Sequence, residues 1–195
     1  MKVLVLNGSP RKDGTVTHLL QDVISGIKQP IEVEWINIYS LEMKPCLGCM
    51  RCRSLGSCIL PEDDAHRVGR LIADADGLII GTPTHWGNMS CQLKLLLDRN
   101  VPVFMGEKLN GLPLPKQKGK PAVIVTACTT PYPFNFIFRE SRGAISAVRE
   151  VLHYGGYRLI GSAVKPGSKR TPIISNHLKN KAFRLGQRFS KSLPS

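Results

Sequence analysis

The first 27 residues constrain the fold most strongly, because they have the pattern of a strand, a loop and a helix in direct succession. An apolar run over residues 3–6 leads into the polar loop 7–14, and apolar side chains then recur at helical spacing from residue 15 to residue 27. Unpaired backbone N–H groups at the start of such a helix attract anions. Hydroxyl donors and a permanent cation are supplied there by Ser9, Arg11, Thr15 and Thr17. The sequence therefore predicts a site for one phosphate ester.

The glycine spacing of this loop limits which phosphate ester is expected. Gly8 and Gly14 are expected to adopt backbone conformations that other residues avoid. Their spacing matches neither the Gly-x-Gly-x-x-Gly pattern of dinucleotide sites nor the Gly-x-x-x-x-Gly-Lys-Ser/Thr pattern of nucleoside triphosphate sites. A mononucleotide is therefore the first expectation. An ordinary surface turn is the alternative, because Gly, Ser and Pro cluster in turns generally.

The rest of the chain alternates between strand and helix patterns. Predicted strands cover residues 3–6, 31–39, 78–81, 122–127 and 157–164, and predicted helices cover residues 15–27, 64–75, 91–99, 140–154 and 175–189. Apolar strands that alternate with helices imply a parallel sheet covered on both faces. We therefore predict a single α/β domain over residues 1–195, with a flavodoxin-like, doubly wound sheet of five strands in the order 2-1-3-4-5. In that order ligands bind beyond strands one and three, at the loops 8–14 and 82–88.

Three local predictions accompany this fold. The paired carboxylates of Asp63 and Asp64 are expected to cap a helix rather than to act as a catalytic acid and base. Ser90 is expected to cap the helix that follows it. The segment 101–120, which is rich in Pro and Gly, is predicted to be a long loop or lid that shapes substrate access.

The chain carries a formal net charge of +13, which is unevenly distributed. From residue 151 to the end there are nine Lys and Arg residues and no Asp or Glu. Such a segment suits an acidic partner, which could be nucleic acid, an anionic membrane surface or an acidic electron carrier. The alternative is a solvated face of the basic C-terminal helix predicted at about 175–190. Because no run resembles a signal sequence or a membrane span, we expect a cytoplasmic protein.

Four of the six cysteines crowd into the segment 44–61. They are Cys46, Cys49, Cys52 and Cys58. In a reducing compartment such a group indicates a metal or a cluster rather than disulfides. Spacing this tight fits a cubic iron–sulfur cluster better than a zinc ion, which usually takes two separated Cys-x2-Cys arms. The remaining two, Cys91 and Cys128, stand apart and are predicted to be packing residues.

Several short motifs along the chain carry a family resemblance. They are Gly8-Ser9-Pro10-Arg11, the cysteine loop 44–61, Asp63-Asp64, Ala75-Asp76, Thr82-Pro83-Thr84, Leu93-Lys94 and Asp98-Arg99. Together they resemble the NADPH-dependent FMN reductase and iron–sulfur flavoprotein families, over about the first hundred residues and more faintly beyond. The resemblance implies an FMN cofactor and one 4Fe–4S cluster on the four clustered cysteines. It also implies a homodimer or homotetramer in which a neighbouring subunit completes the flavin site.

The resemblance also implies where FMN contacts the chain. Its phosphate and ribityl chain would contact Ser9, Arg11, Thr15 and Thr17. The family commonly has Thr at the position of Val16, so Thr15 or Thr17 must supply that hydroxyl here.

The isoalloxazine ring would lie against the loop 82–88. The residues of this loop assigned to the cofactor are Pro83, Thr84, His85, Trp86, Gly87 and Asn88. Trp86 or His85 would cover a flavin face, and backbone groups near Gly87 and Asn88 would reach its polar edge. Taken singly, each of these residues is more often a packing residue than a cofactor contact.

These features predict an oxidoreductase that transfers electrons between a reductant, either ferredoxin or NAD(P)H, and an acceptor, through FMN and the cluster. An acidic electron carrier such as ferredoxin would dock on the basic C-terminal segment. The alternative is a cluster-free NAD(P)H-dependent FMN or quinone reductase. A third hypothesis is a basic nucleic-acid-binding or redox-regulatory protein that uses the cysteine loop structurally, although nucleic acid is the less expected partner.

Overall fold

The computed structural model describes residues 1–28 and 30–194. The strands are β1 (Lys2–Asn7), β2 (Glu32–Asn37), β3 (Gly77–Pro83), β4 (Met105–Glu107), β5 (Pro113–Pro115), β6 (Pro121–Ala127) and β7 (Arg158–Lys165). The helices are α1 (Thr15–Ser25), α2 (Cys52–Leu55), α3 (Asp64–Asp74), α4 (Cys91–Arg99), α5 (Val101–Phe104), α6 (Phe134–Ile137), α7 (Glu140–Gly155) and α8 (Asn176–Ser190). A single 3-10 turn at Ile38–Ser40 follows β2.

The central sheet has five parallel strands in the order β2-β1-β3-β6-β7. Counting only the strands of this sheet, the order is 2-1-3-4-5, so the predicted flavodoxin-like fold is confirmed. In the register, Val5 of β1 lies beside Trp35 of β2 on one side and Ile79 of β3 on the other. The connections reverse direction between β1 and β3, which is where ligands bind in sheets of this kind.

Helices cover both faces of the sheet, and β1 shows how the sequence directs this. Alternate side chains of a strand point to opposite faces. Val3 and Val5 pack in the cluster formed with α1 and α8, whereas Leu4 and Leu6 pack in the cluster formed with α3, α4 and α7. All four residues are almost completely buried. Burial on both faces explains why β1, β3 and β6 are apolar almost throughout, whereas the edge strand β2 contains Glu32 and Glu34.

The segment 101–120 differs from the prediction of a long loop. It contains the short helix α5, with Phe104 buried, and an antiparallel hairpin in which β4 pairs with β5. Arg53 of the cysteine loop forms an ion pair with Glu107 of the hairpin at 3.1 Å. The ion pair therefore joins the hairpin to the cysteine loop.

The predictions for the helix caps had mixed outcomes. Asp63 caps α3, since its side chain accepts the N–H of Ala65 and completes a capping box with His66. Ser90 occupies the N-cap position of α4, but its hydroxyl does not cap the helix. Instead it donates to the carbonyl oxygen of Gly8 over 2.8 Å. The Ser90 side chain thus joins the start of α4 to the loop after β1.

The helices of the described residues were also compared with the length and apolarity that a bilayer requires. Within residues 1–28 and 30–194, none of them is both long enough and apolar enough to cross a membrane.

Candidate functional site

The loops that follow β1, β3 and β6 surround one cleft at the C-terminal edge of the sheet. The N–H of Gly8 donates to the carbonyl oxygen of Gly81 over 2.8 Å, so the first two of these loops begin side by side. The loop after β7 adds one residue to the wall. The lining residues are Ser9, Pro10, Arg11, Gly14, Thr15, Val16, Pro83, Thr84, His85, Ala127, Cys128, Thr129 and Ser168. Six of the ten residues that the sequence assigned to the cofactor therefore line this cleft.

The first loop is held in shape by its own hydrogen bonds. The Asn7 side chain accepts the N–H of Ser9 and donates to the hydroxyl of Thr17, each over 3.1 Å. The Thr17 hydroxyl in turn donates to the carbonyl oxygen of Arg11 over 3.0 Å. The N–H of Arg11 donates to the Ser9 hydroxyl over 3.2 Å. These hydrogen bonds connect the loop to Asn7 at the end of β1 and to Thr17 of α1.

This network separates the two threonines that the sequence proposed as phosphate contacts. Thr17 is buried, and its only hydroxyl hydrogen is used within the loop. Thr15 is partly exposed and lines the cleft. Of the two, Thr15 is therefore the better candidate for contact with a ligand in the cleft.

The glycines of this loop are required for space rather than for unusual backbone angles. Neither Gly8 nor Gly14 has a positive φ, in contrast to the expectation from the sequence. A Cβ on Gly8 would lie 2.9 Å from the carbonyl oxygen of Gly81, and one on Gly14 would lie 3.0 Å from the Cβ of Arg11. The close approach of neighbouring chain segments therefore explains both residues.

The start of α1 is suited to bind an anion. Gly14 holds the N-cap position and has no side chain, so no side-chain cap occupies the N–H groups of the first turn. The helix has no acidic residue in that turn. The exposed guanidinium group of Arg11 adds a positive charge beside it. Free N–H groups, the helix dipole and this cation together fit a phosphate group.

The loop after β3 ends in a tight turn from His85 to Asn88. These two residues exchange N–H···O hydrogen bonds of 2.9 Å, and the central residues Trp86 and Gly87 both have positive φ, at 51° and 70°. Both angles are those of a type I′ turn. The Trp86 side chain is fully exposed at the tip. A Cβ at Gly143 of α7 would lie 2.0 Å from the Gly87 carbonyl oxygen, so the turn packs directly on that helix.

The turn divides the predicted flavin contacts. Pro83, Thr84 and His85 line the cleft, whereas Trp86, Gly87 and Asn88 do not. Asn88 instead accepts the N–H of Met89 with its side-chain oxygen over 2.8 Å.

Besides Pro10, Gly14 and Val16 of the first loop and helix, four further lining residues were not among those that the sequence assigned to the cofactor. They are Ala127, Cys128, Thr129 and Ser168. The signal was available, because β6 ends at the same edge of the sheet as β1 and β3. Cys128 is buried, as predicted for a packing residue, but it also borders the cleft. Burial raises the pKa of its thiol, and the charge of Glu140 raises it further. Cys91, also predicted to be a packing residue, is exposed.

The cysteine loop is held at both ends by α3 and α4. Arg99, at the end of α4, has a completely buried side chain. It forms a two-pronged ion pair with Asp63, with distances of 2.7 and 3.0 Å. It also donates to the carbonyl oxygen of Lys44 over 2.6 Å and to the sulfur of Cys58 over 3.3 Å. Although burial alone would raise it, the pKa of Asp63 is held at about 2 by hydrogen bonds from the Arg99 guanidinium and from the Lys44 N–H.

All six cysteines are free thiols. Burial raises the pKa of the Cys52 thiol, and the nearby charges of the other three clustered cysteines raise it further. Four neighbouring thiols are the donor set that an iron–sulfur cluster requires, so the residues present fit such a group. Within residues 1–28 and 30–194, however, no three His, Cys, Asp or Glu side chains are arranged to hold a metal ion. The chemistry of the loop suits a cluster, but its thiols are not gathered into a coordination shell.

The helix α8 has an apolar stripe on the side that faces the sheet. Leu178, Ala182, Leu185 and Phe189 are buried and pack with α1 against the sheet. On the outward side, cationic side chains are exposed. They are Lys179, Lys181, Arg184 and Arg188, followed by Lys191 at the C-cap. Among the described residues, none of these cations forms a salt bridge within 4.0 Å.

The chain was compared with protein families, curated proteins and solved structures. The family profile for NADPH-dependent FMN reductase matches residues 1–132. An iron–sulfur flavoprotein of Methanocaldococcus jannaschii is 34% identical over 164 residues, which cover 80% of this chain and 81% of that protein. One of Clostridioides difficile is 30% identical over 195 residues, with 97% of this chain and 78% of that protein covered.

Among solved structures, the fold is shared with an FMN-dependent NADH-azoreductase from Bacillus anthracis in complex with FMN. The TM-score is 0.70 at 13% identity, and 97% of each chain is covered. At this level of identity the likeness concerns the fold alone.

Proposed function

Since the chain belongs to the NADPH-dependent FMN reductase and iron–sulfur flavoprotein family and is an oxidoreductase, we propose that it transfers electrons between a reductant and an acceptor through FMN and a 4Fe–4S cluster. The observation that carries the FMN part is the cleft in which an uncapped helix N-terminus meets loops from three neighbouring strand ends. FMN, when bound, supplies a centre that accepts one or two electrons. The chain's task is to bind it, orient it and control access to it.

We propose that the phosphate of FMN lies at the start of α1. Ser9, Arg11 and Thr15 would contact it, together with N–H groups of the first helical turn. Thr17 would contribute indirectly, because its hydroxyl donates to the Arg11 carbonyl oxygen and so holds this part of the loop in place. The family commonly has threonine at position 16, where this chain has valine. Thr15 would replace that hydroxyl as a phosphate contact and Thr17 would support the loop, so Val16 would not weaken the phosphate site.

The isoalloxazine ring would lie between the loops after β3 and β6. Pro83, Thr84 and His85 would contact it from one side, and Cys128 and Thr129 from the other. We propose that backbone groups of Gly87 and Asn88 reach it only at its edge, because neither residue lines the cleft. Trp86 would cover it from the tip of the turn after a change in side-chain orientation, or would contact a neighbouring subunit.

The cluster would be held by Cys46, Cys49, Cys52 and Cys58. The proximity of their charges and the buried Arg99 contact to Cys58 support this assignment. A 4Fe–4S cluster needs the four thiolates to converge, so binding would rearrange the loop 44–61. The six free cysteines suit a reducing, cytoplasmic environment, which is part of the proposal.

A homodimer or homotetramer is also part of the proposal. Trp86 at the turn, and the aromatic residues Tyr132, Phe134, Phe136 and Phe138 that follow Thr129, are all exposed. Exposed aromatic side chains of this number suit contact with a second copy of the chain, which would complete the flavin site. A monomer in analytical ultracentrifugation that retained FMN at micromolar concentration would contradict this.

A second candidate is a cluster-free NAD(P)H-dependent FMN or quinone reductase. The observation that favours it is the absence of a metal-binding arrangement among the described residues. In this case the same FMN cleft would serve a hydride donor directly, and the cysteine loop would have a structural role.

The absorption spectrum of protein purified without oxygen, combined with iron and sulfide analysis, tests these candidates. We expect flavin bands together with a broad thiolate-to-iron absorption that dithionite bleaches, and about four iron atoms per chain. A flavin spectrum without iron, also after anaerobic reconstitution, would select the cluster-free reductase. Protein that binds neither FMN nor iron would refute both candidates.

A further inference from the structure

We infer that Arg99 is a positioning residue for the thiolate site, because it closes the cysteine loop and donates a hydrogen bond to the sulfur of Cys58. This inference rests on the proposed function, in which the loop carries a cluster. It concerns a residue outside the loop, 41 positions along the chain from Cys58.

Arg99 is a buried cation whose N–H groups are held by acceptors of the surrounding chain. Its side chain is 0% exposed, and burying an unpaired guanidinium group would be strongly unfavourable. The Nη1 and Nη2 groups both reach the Asp63 carboxylate, which compensates the charge. The Nε–H donates to Cys58 Sγ, and the remaining Nη1 and Nη2 hydrogens point to the Lys44 carbonyl oxygen and to His66 Nδ1. Four of the five N–H groups of the guanidinium therefore have an acceptor within 3.3 Å, and the fifth lies 3.5 Å from His66 Nδ1, at the limit of hydrogen bonding.

The side chain of Arg99 also connects the two ends of the loop. Lys44 lies two residues before the first clustered cysteine, and Cys58 is the last of them. Asp63 reinforces the same contact, since its Oδ2 accepts the N–H of Lys44 over 3.3 Å. The entry and the exit of the loop are thus held together on the end of α4.

His66 contributes a second contact at the exit. Its Nδ1 accepts the N–H of Asp63 over 3.2 Å, which leaves the ring hydrogen on Nε2. That nitrogen lies 3.3 Å from the Cys58 carbonyl oxygen and donates to it. Both the sulfur and the carbonyl oxygen of Cys58 are therefore fixed from outside the loop, whereas Cys46 and Cys49 are exposed.

An N–H donor affects a cluster through the sulfur ligand to which it donates. A hydrogen bond to a ligating sulfur, and a positive charge beside it, favour the reduced and more negative state of a cluster and so raise its reduction potential. Partners of this kind also retain the metal, since their replacement typically weakens metal binding roughly 10- to 100-fold. Arg99 is consequently expected to affect both the potential and the retention of the cluster.

The test compares three variants after anaerobic reconstitution with ferrous iron and sulfide. Arg99→Lys keeps the charge but lacks the Nε–H and the two-pronged geometry. Asp63→Asn keeps an N-cap acceptor but removes the anion that orients Arg99. Arg67→Lys is the matched control. Arg67 forms an ion pair with Asp64 at the start of α3, the helix that Asp63 caps, and among the described residues it forms no hydrogen bond or ion pair with a cysteine.

We expect Arg99→Lys to lose its cluster to a chelator roughly 10- to 100-fold faster than wild type. We also expect a lower midpoint potential, in a titration that a merely structural role would not shift. Asp63→Asn should change both quantities in the same direction, and it carries the test if Arg99→Lys fails to fold. The control should match wild type. If the folded Arg99 and Asp63 variants show the wild-type potential and the wild-type rate of cluster loss, the inference is wrong.

Hydrogen exchange in the metal-free protein separates this inference from the proposed function. We call the contacts of Arg99 with Lys44, Cys58 and Asp63 the Arg99 clamp. Its loss in Arg99→Lys should speed hydrogen exchange of the Lys44 amide and of the other amides of residues 44–61, while the α8 amides stay unchanged. Unaltered exchange in the loop would refute the clamp whether or not a cluster binds. A wild-type protein that takes up no iron would instead refute the cluster proposal, and with it the effect of Arg99 on potential.

Discussion

At the scale of single residues, the shape of the loop after β1 is set by hydrogen bonds that its own side chains form. Asn7 is buried and touches both Ser9 and Thr17, so a strand residue and a helix residue fix the loop between them. The sequence pattern identified the hydroxyl-bearing residues but could not assign their roles. The sequence pattern does not distinguish Thr15 from Thr17. The structure does, because Thr15 lines the cleft, whereas the Thr17 hydroxyl donates to the Arg11 carbonyl oxygen.

We expect Arg11→Ala and Ser9→Ala each to weaken FMN binding by about 1–3 kcal/mol, which corresponds to roughly 5- to 150-fold in Kd. In the proposed site Arg11 would supply a charge-assisted hydrogen bond to the phosphate, and Ser9 would supply its hydroxyl, which accepts the Arg11 N–H over 3.2 Å. Isothermal titration of the flavin-free protein would measure both. Lys12→Ala is the control, because Lys12 is exposed and does not line the cleft.

Riboflavin, which lacks the phosphate, provides the second comparison for these variants. Its affinity should be the same in wild type, Arg11→Ala and Ser9→Ala. Equal affinity of wild type for riboflavin and FMN would place the phosphate away from α1 and contradict the whole argument.

At the scale of elements, α1 and α8 pack unusually closely on one face of the sheet. A Cβ on Gly186 of α8 would lie only 1.9 Å from the carbonyl oxygen of Val23, and one on Gly26 would lie 2.0 Å from that of Phe183. The obstacle is backbone in both cases, so no side chain can move aside to relieve it. The two helices can approach this closely only because glycine occupies both contact points.

Gly186→Ala should therefore destabilise the protein by about 1–3 kcal/mol, although alanine is intrinsically the better helix former by about 1 kcal/mol. Urea denaturation followed by circular dichroism would measure the change. Asn180→Ala, at an exposed position of the same helix, should change the stability by no more than about 0.5 kcal/mol. An unchanged or raised midpoint for Gly186→Ala would mean that the two helices separate at little cost.

The outer face of α8 is the proposed docking surface for an acidic electron carrier such as ferredoxin. Arg184→Glu combined with Arg188→Glu should slow reduction by reduced ferredoxin at low ionic strength, because opposite charges steer the encounter. The difference should vanish as salt rises, since exposed charges are screened beyond about 10 Å at 0.1 M. Stopped-flow measurement of flavin reduction provides the rates.

The matched control for this prediction reverses Lys108 and Arg149, which lie on the hairpin and on α7 and are also exposed. Both double variants change the net charge equally, so a difference between them reports the location of the charge. If the two slow the reaction to the same extent, net charge alone acts and α8 is not the docking surface.

The elements also show where prediction from sequence ends. The five strands of the main sheet were predicted because each contains a short run of apolar, β-branched or aromatic residues, although β2 also carries Glu32 and Glu34, and β7 carries Gly161 and Ser162. The hairpin of β4 and β5 was missed because each strand has only three residues and β5 begins and ends with proline, which reads as loop. The Arg53–Glu107 ion pair joins the hairpin to the cysteine loop, which is distant in the sequence.

At the scale of the whole molecule, two separate candidate sites lie beside the central sheet, and each is formed by different elements. The cleft proposed for FMN is lined by the loops after β1, β3 and β6, whereas the cysteine loop follows β2 and is held by contacts to α3 and α4. The sequence predicted both sites from local motifs. It could not predict the Arg99 clamp or the contribution of Cys128, because these depend on residues that only the fold brings together.

This separation predicts that the two cofactors can be lost independently. In Cys52→Ala the cluster should be absent, because three thiolates leave one iron without a protein ligand and no His among the described residues joins the other three cysteines in a metal-binding group. FMN should remain bound, since no FMN-contacting residue lies in the loop 44–61. Iron and flavin content after anaerobic reconstitution would measure both, with Cys91→Ala as the control for removal of a thiol outside the loop.

The same variant tests how the electrons travel. If the cluster connects ferredoxin to the flavin, reduction by ferredoxin should fall sharply in Cys52→Ala, while dithionite still reduces the flavin directly. NAD(P)H-dependent turnover, where wild type shows it, should persist, because hydride transfer to FMN needs no cluster. Ferredoxin-driven turnover at the wild-type rate in the cluster-free variant would show that electrons reach FMN without the cysteine loop, and the flavin-only reductase would then be the better description of this chain.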